Sequence, residues 1–165
     1  MLRHLLNLVL SFMPPTRLLR LRRALLRLGR IDLADSACVC GRGWIFGRGR
    51  LTIGKDSWVS PGCIFHTHQE ACIDIGDNCA IGPDVHFIPG SHLIGPPERR
   101  AGVGTAKPIR IDNGCWIGAG THILGGVTVG AGTVVAAGSV VTRSLPANVL
   151  AAGVPAVVKR ELPTH

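Results

Sequence analysis

The chain has 165 residues, 22 of them glycine, with 4% aromatic residues, no tyrosine and a net charge of +8. That length fits one domain, and so little aromatic mass argues against a sandwich or helical bundle built on a large aromatic core. The charge calls for acidic partners such as nucleic acid, anionic lipid or a phosphorylated small molecule, but no nucleic-acid-binding motif accompanies it, which leaves the last two.

Residues 1–30 read as a basic, leucine-rich helical arm. Leu2, Leu5, Leu6, Val9, Phe12 and Met13 recur at helical spacing until Pro14-Pro15 breaks the run. Leu18, Leu19, Leu21, Leu25, Leu26 and Leu28 form a second run, laced with Arg17, Arg20, Arg22, Arg23, Arg27 and Arg30 and stopped at Gly29. The first run is too short to span a bilayer, which needs about 20 residues, and no small-residue cleavage pattern follows it. Two roles fit the arm. The plainer is a cap over the open end of the fold, hiding strand edges; the other is a peripheral contact with anionic lipid at the inner membrane face.

A six-residue repeat fills residues 31–145. Blocks opening at Val39, Ile45 and Leu51 are degenerate, the phase slips by two, and Ile53, Val59 and Phe65 carry it on. A second irregularity spans His66–Asp74, and Ile75, Ile81 and Phe87 precede a break. Residues 93–108, LIGPPERRAGVGTAKP, lack the pattern and read as an extruded loop, long enough to be functional. From Ile111 the period is regular: IDNGCW, IGAGTH, ILGGVT, VGAGTV, VAAGSV. An aliphatic residue opens each block, and Cys115, Thr121, Val127, Thr133 and Ser139 take the fifth place. A short fixed period marks a solenoid, and six fits neither a helix stripe nor an alternating strand. It fits flat coils of short strands, with Gly118, Gly120, Gly126, Gly130, Gly132 and Gly138 allowing positive φ at the corners. Residues 146–165 leave the coil, with 147–155 extended and 156–162 a short helix before Pro163. Cys63, Cys79 and Cys115 sit at inward fifth places as packed thiols, and six cysteines without a pairing pattern favour a reducing, cytoplasmic compartment.

The stretch PIRIDNGCWIGAGTHILGGVTVGAGTVVAAGSVVTRSLPANVLAAGVPAVVKR closely resembles the hexapeptide-repeat acyltransferases of the galactoside, maltose and xenobiotic O-acetyltransferase group, over roughly residues 39–162. The resemblance implies an all-β solenoid, a left-handed parallel β-helix of about five three-block turns. Left-handedness is an exception to the general crossover rule. It also implies acetyl-CoA as acyl donor, no metal, and a homotrimer with active sites between subunits.

Acyl transfer from a thioester to a hydroxyl needs a base near its working pH, an oxyanion donor and two substrates held in register. His92, in FIPGSH before the loop, matches the family's catalytic histidine. Trp116 matches a tryptophan beside the active site, or else covers the coil wall. Ala119 corresponds to the position touching acyl-CoA near the thiol. Ala137, Thr142 and Arg143 correspond to positions along the cofactor arm, and Arg160 to an arginine near the nucleotide. A second family arginine falls on Val157, with Lys159 beside it as a substitute; for Arg143, Lys159 and Arg160 an ordinary solvated surface is the other reading. The acidic acceptor-binding position aligns with Glu70, a family asparagine falls near Gly62, and His66, His68 and His86 are further acceptor candidates. The arm is similar to those of acetyltransferases from capsule, lipopolysaccharide and exopolysaccharide pathways, which implies a sugar or sugar-containing acceptor. Competing readings are a γ-carbonic-anhydrase-like zinc enzyme using His66, His86 and His92 or His122, and a trimeric scaffold without activity.

Overall fold

The computed structural model describes residues 2–164. Three parallel sheets wrap one axis as the walls of a triangular prism. Sheet A holds Asp32–Leu33, Leu51–Ile53, Ile73–Ile75, Ile109–Ile111 and Thr128–Val129. Sheet B holds Cys38–Val39, Trp58–Val59, Ala80–Ile81, Trp116–Ile117, Val134–Val135 and Val149–Gly153. Sheet C holds Trp44–Phe46, Ile64–His66, His86–Ile88, His122–Leu124 and Val140–Val141. The aliphatic openers of the blocks stack in register, as in Leu33, Ile53, Ile75, Ile111 and Val129 on sheet A. Sheet C stacks Ile45, Phe65, Phe87, Ile123 and Val141, and Phe65 and Phe87 lie face to face at 4.8 Å. Each such side chain, nearly all fully buried, contributes about 1.5–3 kcal/mol of apolar burial.

Corners obey a simple rule. At the A–B and B–C corners, except the one after Leu33, the backbone turns left-handed three residues after the inward opener: Asp56, Asn78, Gly114, Gly132 and Asn148 after sheet A, and Arg42, Gly62, Asp84, Gly120 and Gly138 after sheet B. Gly118 and Gly130 do not share that conformation, contrary to the expectation from composition. They stand directly after an opener, where a Cβ on Gly118 would meet the Ala137 nitrogen of the next coil at 2.4 Å. Close stacking, not positive φ, selects glycine there. The fifth-place hydroxyls satisfy corner carbonyls from inside: Thr121 donates to Gly118 O at 2.8 Å, Thr133 to Pro146 O at 2.7 Å and Ser139 to Ala136 O at 2.7 Å. The fifth-place thiols are buried and reduced. Burial pushes the Cys63 thiol up to about 12, so it stays protonated and donates to Gly82 O.

Every departure from the six-residue period falls on the corner between sheets C and A. Eight residues separate Ile45 from Ile53, ten separate Phe65 from Ile75 and 24 separate Phe87 from Ile111, against six from Ile123 to Val129. The largest departure is not an irregular loop over 93–108 but an antiparallel hairpin, Gly90–Ile94 with Ala101–Ala106. Alternating small residues and valine let residues 101–106 pair as a strand.

The ends of the prism are closed differently. At the first coil, helices α1 (Leu2–Ser11) and α2 (Leu19–Leu28) lie against Trp44–Phe46 and against Asp32–Leu33 and Cys38–Val39. Leu10 and Leu26 join the core. Asn7 pairs with the Ile45 backbone in both directions, donating to its carbonyl at 3.0 Å and accepting from its amide at 3.2 Å. Asn7→Leu leaves both backbone groups buried and unpaired, and is expected to cost about 2–4 kcal/mol, read as a lower denaturant midpoint. The arm therefore caps the stack, yet most of its leading apolar stripe is not what packs: Leu2, Leu5, Val9 and Phe12 face outward. At the last coil, Ala156–Glu161 is a strand antiparallel to Val149–Gly153, not the expected helix. The open edge of sheet B offers hydrogen bonds that a short helix would leave unmade, and Val157 and Val158 suit a strand.

Candidate active site

His92 lies mid-strand in Gly90–Ile94 and is exposed. Its cross-strand neighbour is Gly104, beside which a Cβ would meet nothing within 4 Å, so no side chain from the opposite strand covers the imidazole. The hairpin base is locked into the coil: Lys107 N–H donates to Pro89 O at 3.0 Å and Gly126 N–H to Pro108 O at 2.9 Å. A Cβ on Gly125 would strike Pro89 O at 2.4 Å, so only glycine lets the next coil close beneath the hairpin.

The acceptor-side candidates divide between the C–A corner and the outer face of sheet C. Glu70 and His68 lie in the ten-residue C–A corner one coil below, where the Glu70 amide donates to His68 Nδ1 at 3.2 Å. His66 and His86 project from the outer face of sheet C with ring centres 6.2 Å apart. Two residues not assigned to the acceptor pocket complete this row: His122 stacks on His86 at 4.7 Å, and Phe46 stacks on His66 at 5.4 Å. The signal was present in the six-residue register, which puts His86 directly beside His122. Their near-parallel rings, 20° apart, do not aim lone pairs at a common point as zinc ligands must.

Burial, then the neighbouring His122 and His66, hold the His86 imidazole below the ordinary histidine range, with Asp84 opposing. The unfolded chain therefore takes up this proton first. Stability is complete above the unfolded value near 6.5 and is lost as pH falls toward the lower folded value. His86→Gln is expected to shrink the drop in denaturant midpoint between about pH 7.5 and about pH 5.5.

The cofactor-side candidates occupy other parts of the prism. Trp116 stands on the outer face of sheet B between Ala80 and Val134 and is 58% exposed, so it does not seal the core. Ala119 and Ala137 occupy B–C corners on successive coils, linked by Gly138 N–H to Ala119 O at 2.8 Å. Both are exposed, and their amides have no acceptor among the described residues. Thr142 and Arg143 are exposed at the C–A corner of the fifth coil; Lys159 and Arg160 are exposed on the last strand. His92 and the Ala119 amide thus lie on edges separated by the width of sheet C, roughly 20 Å for six extended residues.

Residues 108–143 match the family model for bacterial transferase hexapeptide, six repeats. WcaF of Escherichia coli K12, provisionally named a colanic acid biosynthesis acetyltransferase, is 36% identical over 89% of this chain and 78% of its own. The chain belongs to the hexapeptide-repeat acetyltransferases. A hexapeptide-repeat acetyltransferase of Vibrio cholerae O1 biovar eltor, VCA0836, crystallised with acetyl coenzyme A, superposes with a TM-score of 0.77 at 30% identity, covering 98% of this chain and 86% of that one. A galactoside acetyltransferase in complex with coenzyme A gives 0.82 at 30% identity, covering 97% and 78%. The prism is the left-handed β-helix of these acetyltransferases. The chain spans about half to two thirds of the length of the first curated relatives it matches, among them the 36% identical galactoside O-acetyltransferase of Escherichia coli K12 at 64%.

Proposed function

We propose that this hexapeptide-repeat protein is an acetyl-CoA-dependent O-acetyltransferase acting on a hydroxyl of a sugar or sugar-containing acceptor. The observation that carries the reading is His92, held uncovered on a hairpin anchored in the coil, with His68 and Glu70 in the same corner one coil below and His66 and His86 on the outer face of sheet C. His92 takes the proton of the acceptor hydroxyl as its oxygen attacks the thioester carbonyl. The Ala119 amide donates to the resulting oxyanion. When the C–S bond breaks, His92 returns the proton to the departing thiolate, so acetyl ester and free thiol leave with the imidazole neutral again. The unpaired Ala137 amide suits an amide carbonyl of pantetheine, and Arg143, Lys159 and Arg160 suit the cofactor's phosphates; Trp116 borders the acyl end.

Because His92 and Ala119 lie on different edges of one prism, the complete site requires two copies. A homotrimer, in which the hairpin of one copy meets the B–C corners of the next, supplies it. Light scattering is expected to give three times the 17.4 kDa chain mass; a monomer with full activity would contradict the shared site. The chemistry is tested by thiol release from acetyl-CoA across sugars and nucleotide sugars, with longer acyl-CoAs in parallel. Acceptor-dependent release is expected; failure to bind acetyl-CoA at all would overturn the reading. Homologues named for polysaccharide work, WcaF and a polysialic-acid-specific acetyltransferase, support a saccharide acceptor.

A further inference from the structure

The N-terminal arm carries more apolar surface than the cap uses. On α1, Leu6 and Leu10 face the stack, while Leu2, Leu5, Val9 and Phe12, a second stripe at helical spacing, stay outside with Leu8. Phe12 is 88% exposed. On α2 the usual pattern is inverted. Arg22 is 2% exposed, donating to Leu10 O and Pro14 O, whereas Leu18, Leu21 and Leu28 face outward. Folding does not explain this outer layer, because the core beneath it is already closed by Leu10, Leu26, Ile31 and Leu33.

The charge of the chain is concentrated in the same place. Residues 1–31 hold seven arginines and no Asp or Glu, which leaves 11 basic against 10 acidic residues for the rest. Arg17, Arg20 and Arg30 are exposed, and their guanidinium groups have no partner among the described residues. A groove of about 600 Å³ lined in part by Arg3, His4, Arg30 and Arg48 opens beside the stripe.

We infer that the arm is an interfacial docking surface for an anionic lipid bilayer, with its outer leucines and Phe12 among the acyl chains and its free arginines at the headgroups. Neither helix is long and apolar enough to cross a membrane, and a helix of this kind lies in the interface plane. A second copy of the arm is a poor occupant, since pairing would bring two all-basic surfaces together without a carboxylate. Nucleic acid would use the arginines and leave the leucines in water. A bilayer containing acidic lipid satisfies both features at once. The hairpin and the last strand lie further along the stack, so docking leaves them free.

The test is flotation of the full chain with vesicles of phosphatidylcholine containing about 30 mol% phosphatidylglycerol. Co-flotation is expected, with little on pure phosphatidylcholine and a marked loss at high salt. Leu5→Asp with Phe12→Asp, and separately Arg17→Glu with Arg20→Glu, are each expected to reduce partitioning at least about tenfold. All four side chains are exposed, so unchanged thermal midpoints should accompany the loss. The inference is overturned if the wild type stays at the bottom of the gradient, if either double variant floats as the wild type does, or if Leu5→Asp with Phe12→Asp instead lowers the particle mass in light scattering, which would make the outer stripe a contact between copies. Binding is read without turnover, so the outcome is independent of the proposed acetyl transfer.

Discussion

Replacing His92 with alanine is expected to lower kcat for acetyl transfer by about 10²–10⁴-fold while the thermal midpoint and the acetyl-CoA affinity stay close to wild type. The separation follows from where the residue sits. His92 is exposed, faces Gly104, and donates no hydrogen bond to the coil, so its removal leaves no cavity and no unpaired partner. The amides assigned to the acyl donor belong to another edge of the prism and are untouched. Steady-state thiol release with calorimetric binding in parallel checks both halves. Turnover within a factor of a few of wild type would mean that another group removes the hydroxyl proton.

Phe87→Ala is expected to destabilise the fold by about 3–5 kcal/mol, the largest stability effect of any single truncation proposed for this chain. Phe87 is fully buried and stacks on Phe65 with rings 3° from parallel, and Ile123 closes the ladder above. The flanking strands are only two or three residues long and held by both neighbouring coils, so the backbone cannot collapse into the space. For a chain of this size about 1 kcal/mol corresponds to roughly 2–4 °C, so differential scanning calorimetry at fixed protein concentration should show a midpoint lower by roughly 6–20 °C. A drop of only about 2 °C would mean that the coil relaxes far more than its short strands suggest.

The upper coils were legible from the sequence because each structural position carried its own residue type. From Ile111 onward an aliphatic residue, a left-handed glycine and a compact fifth residue recur every six places. In the lower coils four of the five left-handed positions of this kind are taken by Arg42, Asp56, Asn78 and Asp84, and only Gly62 is glycine. Asn and Asp visit that conformation readily, so the glycine signal thins while the geometry is unchanged. The two-residue slip after Ile45 and the break after His66 looked like decay of the repeat. They are insertions at one corner, which only the alignment of ladders across coils reveals. The last strand was misread because a lone segment of mixed valine and basic residues does not declare its partner; the free edge of sheet B does. Among the candidates, His92 was singled out by its likeness to the family's histidine and its place at the break in the repeat, and it lies within the hairpin itself, while the row joining Phe46, His66, His86 and His122 exists only once the coils are stacked.

Confining every length change to the C–A corner has a consequence for how such a protein can diversify. The segment between Pro89 and Pro108 can be exchanged for one of another length or chemistry without moving a single rung of the prism, because both ends return to fixed points beside Gly125 and Gly126. On the proposed reading, new acceptor preferences would arise by grafting at that one seam, while the two uninterrupted edges preserve the scaffold, so that recognition and architecture would be inherited through separate parts of the chain.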